Sequence, residues 1–186
     1  MNKKKKIAII GLGYVGLPLA IEFGKFYEVV GYDINNERIK SLKLYKDTNN
    51  DISKSEFKKS KKLIFTNKKT HIQSCNFYIV TVPTPVTKNN KPDLKLIKKA
   101  CNLVGEFIQK NNIVIFESTV FPGLTNNIAI PIIEKKSKLK LNKDFYCGYS
   151  PERINPGDKK RKLKNITKIV SGSNKYSLNL ITRLYS

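Results

Sequence analysis

The sequence predicts an α/β fold: a doubly wound, mainly parallel sheet with helices on both faces. Ile7-Ala8-Ile9-Ile10, Phe77-Tyr78-Ile79-Val80 and Ile113-Val114-Ile115-Phe116 are unbroken apolar runs, the mark of strands buried on both sides. The segments between them carry apolar residues at helical spacing. Strands alternating with helices make a parallel sheet with right-handed crossovers, whose ligand sits at the carboxyl ends of the strands.

The first strand, Ile7–Ile10, runs into Gly11-Leu12-Gly13-Tyr14-Val15-Gly16, and a helix follows over Leu17–Phe26. Pro18 falls in its first turns, where a proline is tolerated. A second strand over Glu28–Asp33 ends in an acid 17 residues beyond Gly16. A lone glycine triplet says little, but strand, triplet, helix and distal acid together form a dinucleotide-binding unit of Rossmann type. Gly11 permits the tight turn, Gly13 lets a pyrophosphate approach the backbone, and Gly16 allows close helix packing. The helix N-terminus holds the phosphates. Asp33 accepts from the adenosine ribose hydroxyls and repels a 2′-phosphate. Ile34, not arginine, follows it, so NAD rather than NADP is expected. Arg38 is expected over the adenine or ribose.

A second helix spans Ile34–Tyr45, and residues 46–62 read as a polar, lysine-rich connection. Short strands follow at Leu63–Phe65 and Phe77–Val80. The latter stops at Val82-Pro83-Thr84-Pro85, a loop that is either a stiff strand exit or a place where the Thr84 hydroxyl faces the cofactor. Pro92-Asp93 opens a helix to about Gln109, and the strand Ile113–Phe116 ends at Glu117-Ser118-Thr119. Those hydroxyls orient a water or the nicotinamide ribose, or cap the helix that Pro122-Gly123 opens. A strand at Phe145–Cys147 feeds Tyr149 to Asp158, where Pro151-Glu152-Arg153 offers a base beside an anion-binding group, or a surface salt bridge. Lys168–Val170 reads as the last strand. Residues 1–173 are thus one NAD-binding domain, and 174–186 read as the start of a truncated connecting helix.

Length and composition bound the chemistry. At 186 residues and 21.2 kDa the chain can bury a core without disulfides or a structural metal. No apolar run reaches membrane length, and Lys3 to Lys6 precede no cleavage site, so no membrane partner and a cytoplasmic location are expected. Cys75, Cys101 and Cys147 are scattered and read as small core residues, and His71 as a surface residue, so no metal is expected. The formal net charge is +22, but only Arg38, Arg153, Arg161 and Arg183 are arginine. The lysines spread along the chain without an aromatic RNA-binding pattern, which argues for solvated surface and against a nucleic-acid partner.

Four segments occur in an order that resembles the N-terminal part of the UDP-glucose/GDP-mannose dehydrogenase family. They are Ile9–Pro18, Val82–Pro85, Glu117–Val120 with Pro122-Gly123, and Gly148–Asp158. The last is most similar to the branch acting on UDP-N-acetylhexosamines in surface-polysaccharide biosynthesis. The resemblance implies oxidation of a nucleotide sugar's C6 alcohol to a carboxylate, with NAD as oxidant, through a cysteine-bound thiohemiacetal and thioester. It implies that Tyr14, Val15, Asp33, Arg38, Thr84 and Thr119 contact NAD, which adds to Gly11, Leu12, Gly13 and Gly16 of the glycine motif as the expected cofactor-binding residues. It further implies that Thr119 helps hold the catalytic water, that Glu152 assists proton transfer and thioester hydrolysis, and that Glu152, Arg153 and Ile154 meet the UDP-sugar. The family's nucleophilic cysteine and essential lysine belong to later segments that match nothing here. The isolated chain is therefore expected to be inactive, with a complementing C-terminal half or a homo-oligomer as partner. A non-catalytic NAD-binding remnant or regulatory module is the alternative.

Overall fold

A computed structural model describes residues 4–87, 89–152 and 167–186. Among these residues seven strands form one sheet, in the order β3-β2-β1-β4-β5-β6-β7. They are β1 (Lys6–Ile10), β2 (Glu28–Tyr32), β3 (Leu63–Thr66), β4 (Phe77–Val80), β5 (Ile113–Phe116), β6 (Tyr146–Tyr149) and β7 (Ser171–Gly172). The first six are mutually parallel, and β7 runs antiparallel to β6. The chain winds outward from β1 in one direction through β2 and β3, then restarts beside β1 with β4. The crevice at that reversal is where a doubly wound sheet binds ligands.

Side-chain alternation explains why both faces are apolar. Ile7, Ile9, Phe77, Ile79, Ile113 and Ile115 point to one face, where α1 (Gly16–Phe23), α2 (Asn36–Lys43), α3 (Lys54–Lys59) and α6 (Lys175–Tyr185) cover them. Ala8, Ile10, Tyr78, Val80, Val114 and Phe116 point to the other, against α4 (Lys95–Phe107) and α5 (Ile130–Ser137). Each central strand is therefore an unbroken hydrophobic run with nothing facing water.

Several boundaries differ from the sequence reading, each for a local reason. The first helix stops at Phe23, because Gly24 closes it with a hydrogen bond to Ala20. The second begins at Asn36, because the Asn35 side chain caps it by accepting from the N–H groups of Glu37 and Arg38. The polar stretch 46–62 contains α3, built on a capping box between Ser53 and Glu56 and anchored by buried Phe57. The helix after Pro92 starts only at Lys95. The one after Gly123 begins with a widened turn over Thr125–Ala129 before α5 proper. The strand expected at Lys168–Val170 lies instead at Ser171–Gly172, and Lys168 serves another purpose.

Candidate functional site: a dinucleotide crevice with a buried charge cluster

The crevice has a corner expected to take the adenosine, at the ends of β1 and β2 (the adenosine corner), and a corner expected to face the reaction, at the ends of β4, β5 and β6 (the reaction corner). The adenosine corner is assembled mostly from backbone. Gly11 has φ +94°, a conformation that favours glycine, and turns the chain immediately after β1. A Cβ on Gly16 would overlap the Gly11 carbonyl oxygen, so this glycine lets α1 begin under the turn. The Thr81 hydroxyl, just past β4, ties the turn down by donating to the Gly11 carbonyl at 2.7 Å. A Cβ on Gly13 would meet nothing within 4 Å, which leaves open space where a diphosphate would lie. The N-terminus of α1 has no side-chain cap, and its positive end faces that space. These residues fit NAD.

Two side chains bracket Leu12. Asp33 Oδ2 accepts from the Leu12 N–H at 2.8 Å, and its Oδ1 accepts from the Asn35 N–H at 2.9 Å. Arg38 Nε donates to the Leu12 carbonyl at 2.9 Å. The Leu12 side chain itself is fully buried, so it anchors the bend in the core. Tyr14 is about half exposed (48%) beside the helix start, and Val15 is half-buried. Arg38 is turned inward: its guanidinium pairs with Asp47 at 2.8 Å, and the Asp47 side chain is wholly buried.

The reaction corner is built from charges instead. Glu117 directly follows β5 and has no exposed surface. Its carboxylate takes an ion pair from Lys168 and a hydrogen bond from the Tyr185 hydroxyl of α6. Lys168 also stands 3.8 Å from Glu152, so one ammonium group sits between two buried carboxylates. Burial pushes the Glu117 carboxyl above its ordinary range despite the opposing pull of Lys168. Burial and the adjoining Glu117 raise the Tyr185 phenol in turn. Next to this cluster Thr84 donates to the Thr119 carbonyl, which joins the two loops expected to contact the cofactor. Ser118 donates to Val82 at 2.6 Å. That bond also corrects the capping alternative for Glu117-Ser118-Thr119: the following helix has no side-chain cap.

Thus the strand ends bring Gly11 to Gly16, Asp33, Thr84, Thr119 and Glu152 to one edge of one sheet, and Arg38 reaches it from α2. Glu152 is buried, not the surface ion pair that its loop also allowed. Arg153 and Ile154 lie outside the described residues. The three cysteines are buried, and burial pushes each thiol up to about 12, which makes them poor nucleophiles. Among the described residues no group of three or more His, Cys, Asp and Glu side chains could hold a metal ion. No helix there is long and apolar enough to cross a membrane.

Residues 5–186 match the UDP-glucose/GDP-mannose dehydrogenase family, NAD binding domain. This chain belongs to that family. Its cofactor is NAD. The chain is 51% identical over 180 residues to a UDP-N-acetyl-D-glucosamine 6-dehydrogenase of Salmonella typhi, a match covering 97% of this chain and 42% of the relative. A second such dehydrogenase, of Pseudomonas aeruginosa, is 48% identical over 98% of this chain and 43% of its own length. Among solved structures, a ternary complex of GDP-mannose dehydrogenase from Pseudomonas aeruginosa superposes with a TM-score of 0.86 at 27% identity, covering 96% of this chain and 43% of that one. The UDP-D-ManNAc dehydrogenase of Pyrococcus horikoshii gives 0.84 at 33% identity, covering 97% and 44%. The chain therefore spans less than half the length of the dehydrogenases it resembles.

Within this family domain, sequence reasoning missed Asp47, Glu117, Lys168 and Tyr185 as parts of the site. One of them carried a signal. An acid placed directly after Ile113-Val114-Ile115-Phe116 continues a fully buried strand, and a buried acid needs a partner. Asp47 lies in a polar stretch that looks solvated, and Lys168 in a run that looks like a strand.

Proposed function

We propose that this chain is the NAD-binding half of a nucleotide-sugar 6-dehydrogenase that oxidises the C6 alcohol of a UDP-N-acetylhexosamine to the uronate, in the cytoplasm, for polysaccharide biosynthesis. The observation that carries it is the peptide of Leu12 held between Asp33 and Arg38 above an open glycine bend. In this reading Asp33 takes the adenosine ribose hydroxyls, Gly13 and the start of α1 take the diphosphate, and Tyr14 and Val15 flank it. Thr84 and Thr119 meet the nicotinamide side. Bound NAD would accept the hydride from C6. Glu152, held beside Lys168, moves protons at the reacting carbon and serves the hydrolytic step, with Thr119 orienting the water. Arg153 and Ile154 hold the nucleotide sugar.

The buried, high-pKa cysteines support assigning the covalent step to a complementing C-terminal segment or partner subunit. Alone, the chain then gives no sustained NADH formation with UDP-N-acetylglucosamine, and turnover would overturn that assignment. Calorimetry tests the cofactor reading. Asp33→Ala is expected to lose about 1.5–3 kcal/mol of NAD binding, the range for a charged acceptor. Unchanged affinity would remove Asp33 from the site.

A further inference from the structure

We propose that Asp47 sets the cofactor preference of this site by locking Arg38 against the glycine bend, so that the adenosine subsite takes a ribose diol and refuses a 2′-phosphate. The inference rests on the NAD reading above and adds to it a residue that never touches the cofactor. An arginine beside the adenosine ribose is the residue type that would grasp a 2′-phosphate, through two parallel N–H bonds from its planar fork. Here that fork is spent. Nε donates to the Leu12 carbonyl at 2.9 Å. Nη1 donates to Asp47 Oδ1 and to the Thr48 hydroxyl, both at 2.8 Å. Nη2 is buried with no hydrogen-bond partner, so it too is shut away from a ligand. The side chain as a whole is only 9% exposed.

Asp47 cannot follow Arg38 outward. Its Oδ1 also accepts from the Asn49 N–H at 3.1 Å, and its Oδ2 accepts from the N–H groups of Asp51 and Ile52 at 2.9 and 3.1 Å. Three backbone donors pin the carboxylate to the turn that follows α2. Freeing Arg38 would strand this buried anion without its counter-charge. The pair is electrically neutral, so Asp33 leaves the subsite with a net negative charge. A ribose diol donates to that charge, and a phosphate is repelled by it. Asp47 is thus a positioning residue, and it acts through Arg38.

The test uses the full 186-residue chain. NAD and NADP are titrated calorimetrically into wild type and Asp47→Asn, with circular dichroism to check folding. The wild type is expected to prefer NAD, and Asp47→Asn to narrow the NAD-to-NADP affinity ratio by about tenfold, mainly through tighter NADP binding by a released arginine fork. A folded Asp47→Asn with an unchanged ratio, in a wild type that binds NAD, overturns the role of Asp47 alone. A folded wild type that binds neither dinucleotide overturns the cofactor reading and this inference together. Should Asp47→Asn fail to fold, nitrogen-15 NMR of the wild-type Arg38 guanidinium decides. Separate, slowly exchanging Nη1 and Nη2 signals that NADP leaves in place support the lock. A single averaged Nη signal shows a free fork and overturns it.

Discussion

The two corners of the crevice reach preorganisation by opposite routes. The adenosine corner presents backbone groups from one short stretch, Gly11 to Gly16, trimmed by Asp33 and Arg38. The reaction corner gathers Glu117, Glu152, Lys168 and Tyr185 from four separate parts of the chain, with Glu117 lying 51 residues from Lys168 and 68 from Tyr185. The first is stable because a local bend costs little once glycine removes the steric conflict. The second stands only because each buried charge has its partner. The difference teaches where fragility lies: one corner fails through shape, the other through charge.

That contrast can be broken at the reaction corner first. Replacing Lys168 by Met leaves the fully buried Glu117 carboxylate without its cation, so a loss of about 3–5 kcal/mol in urea unfolding is expected. Adding Glu117→Gln to that variant should recover part of the loss. A Lys168→Met protein as stable as wild type would mean that the cluster is hydrated. At the adenosine corner, Gly16→Ala puts a methyl into the Gly11 carbonyl, and overpacking of this kind costs about 1–3 kcal/mol. It should also weaken NAD binding, since the bend must open to fit the methyl. Retained affinity together with retained stability would show that the bend is softer than its packing suggests.

The finest probe is pH. Burial raises the Glu117 carboxyl in the folded protein above its ordinary 4.5, so the folded chain holds that proton more tightly than the unfolded chain. The resulting contribution is fully present below the unfolded value and is lost as pH rises through the folded one. Glu117→Gln should therefore flatten the dependence of unfolding free energy on pH above 4.5 relative to wild type. Equal slopes would indicate that Lys168 offsets the burial of Glu117 completely. No matching slope is expected from the glycine bend, which contains no carboxyl side chain.

The same division governs what could be read from the residue order. The glycine bend, its helix and Asp33 are near neighbours in sequence or sit one β-α unit apart, so their geometry follows from local conformational rules. The central strands were legible because both faces of each are buried and no polar residue interrupts them. Short α3 was not, because six mostly polar residues carry little periodicity and only the Ser53–Glu56 box and Phe57 fix it. The edge strand Ser171–Gly172 was displaced from its expected place because Lys168, three residues earlier, is drawn in by Glu117.

By itself the sequence determined the doubly wound architecture, the glycine bend at the head of the first β-α unit and the inert character of the cysteines. These depend on apolar periodicity, on glycine sterics and on the scarcity of partners that would activate a thiol. The tertiary structure alone decided that Arg38 is locked by Asp47, that Glu152 is buried, and that Lys168 and Tyr185 converge on Glu117. A charge is solvated by default, and only the folded chain settles which charges lose their water and must find each other.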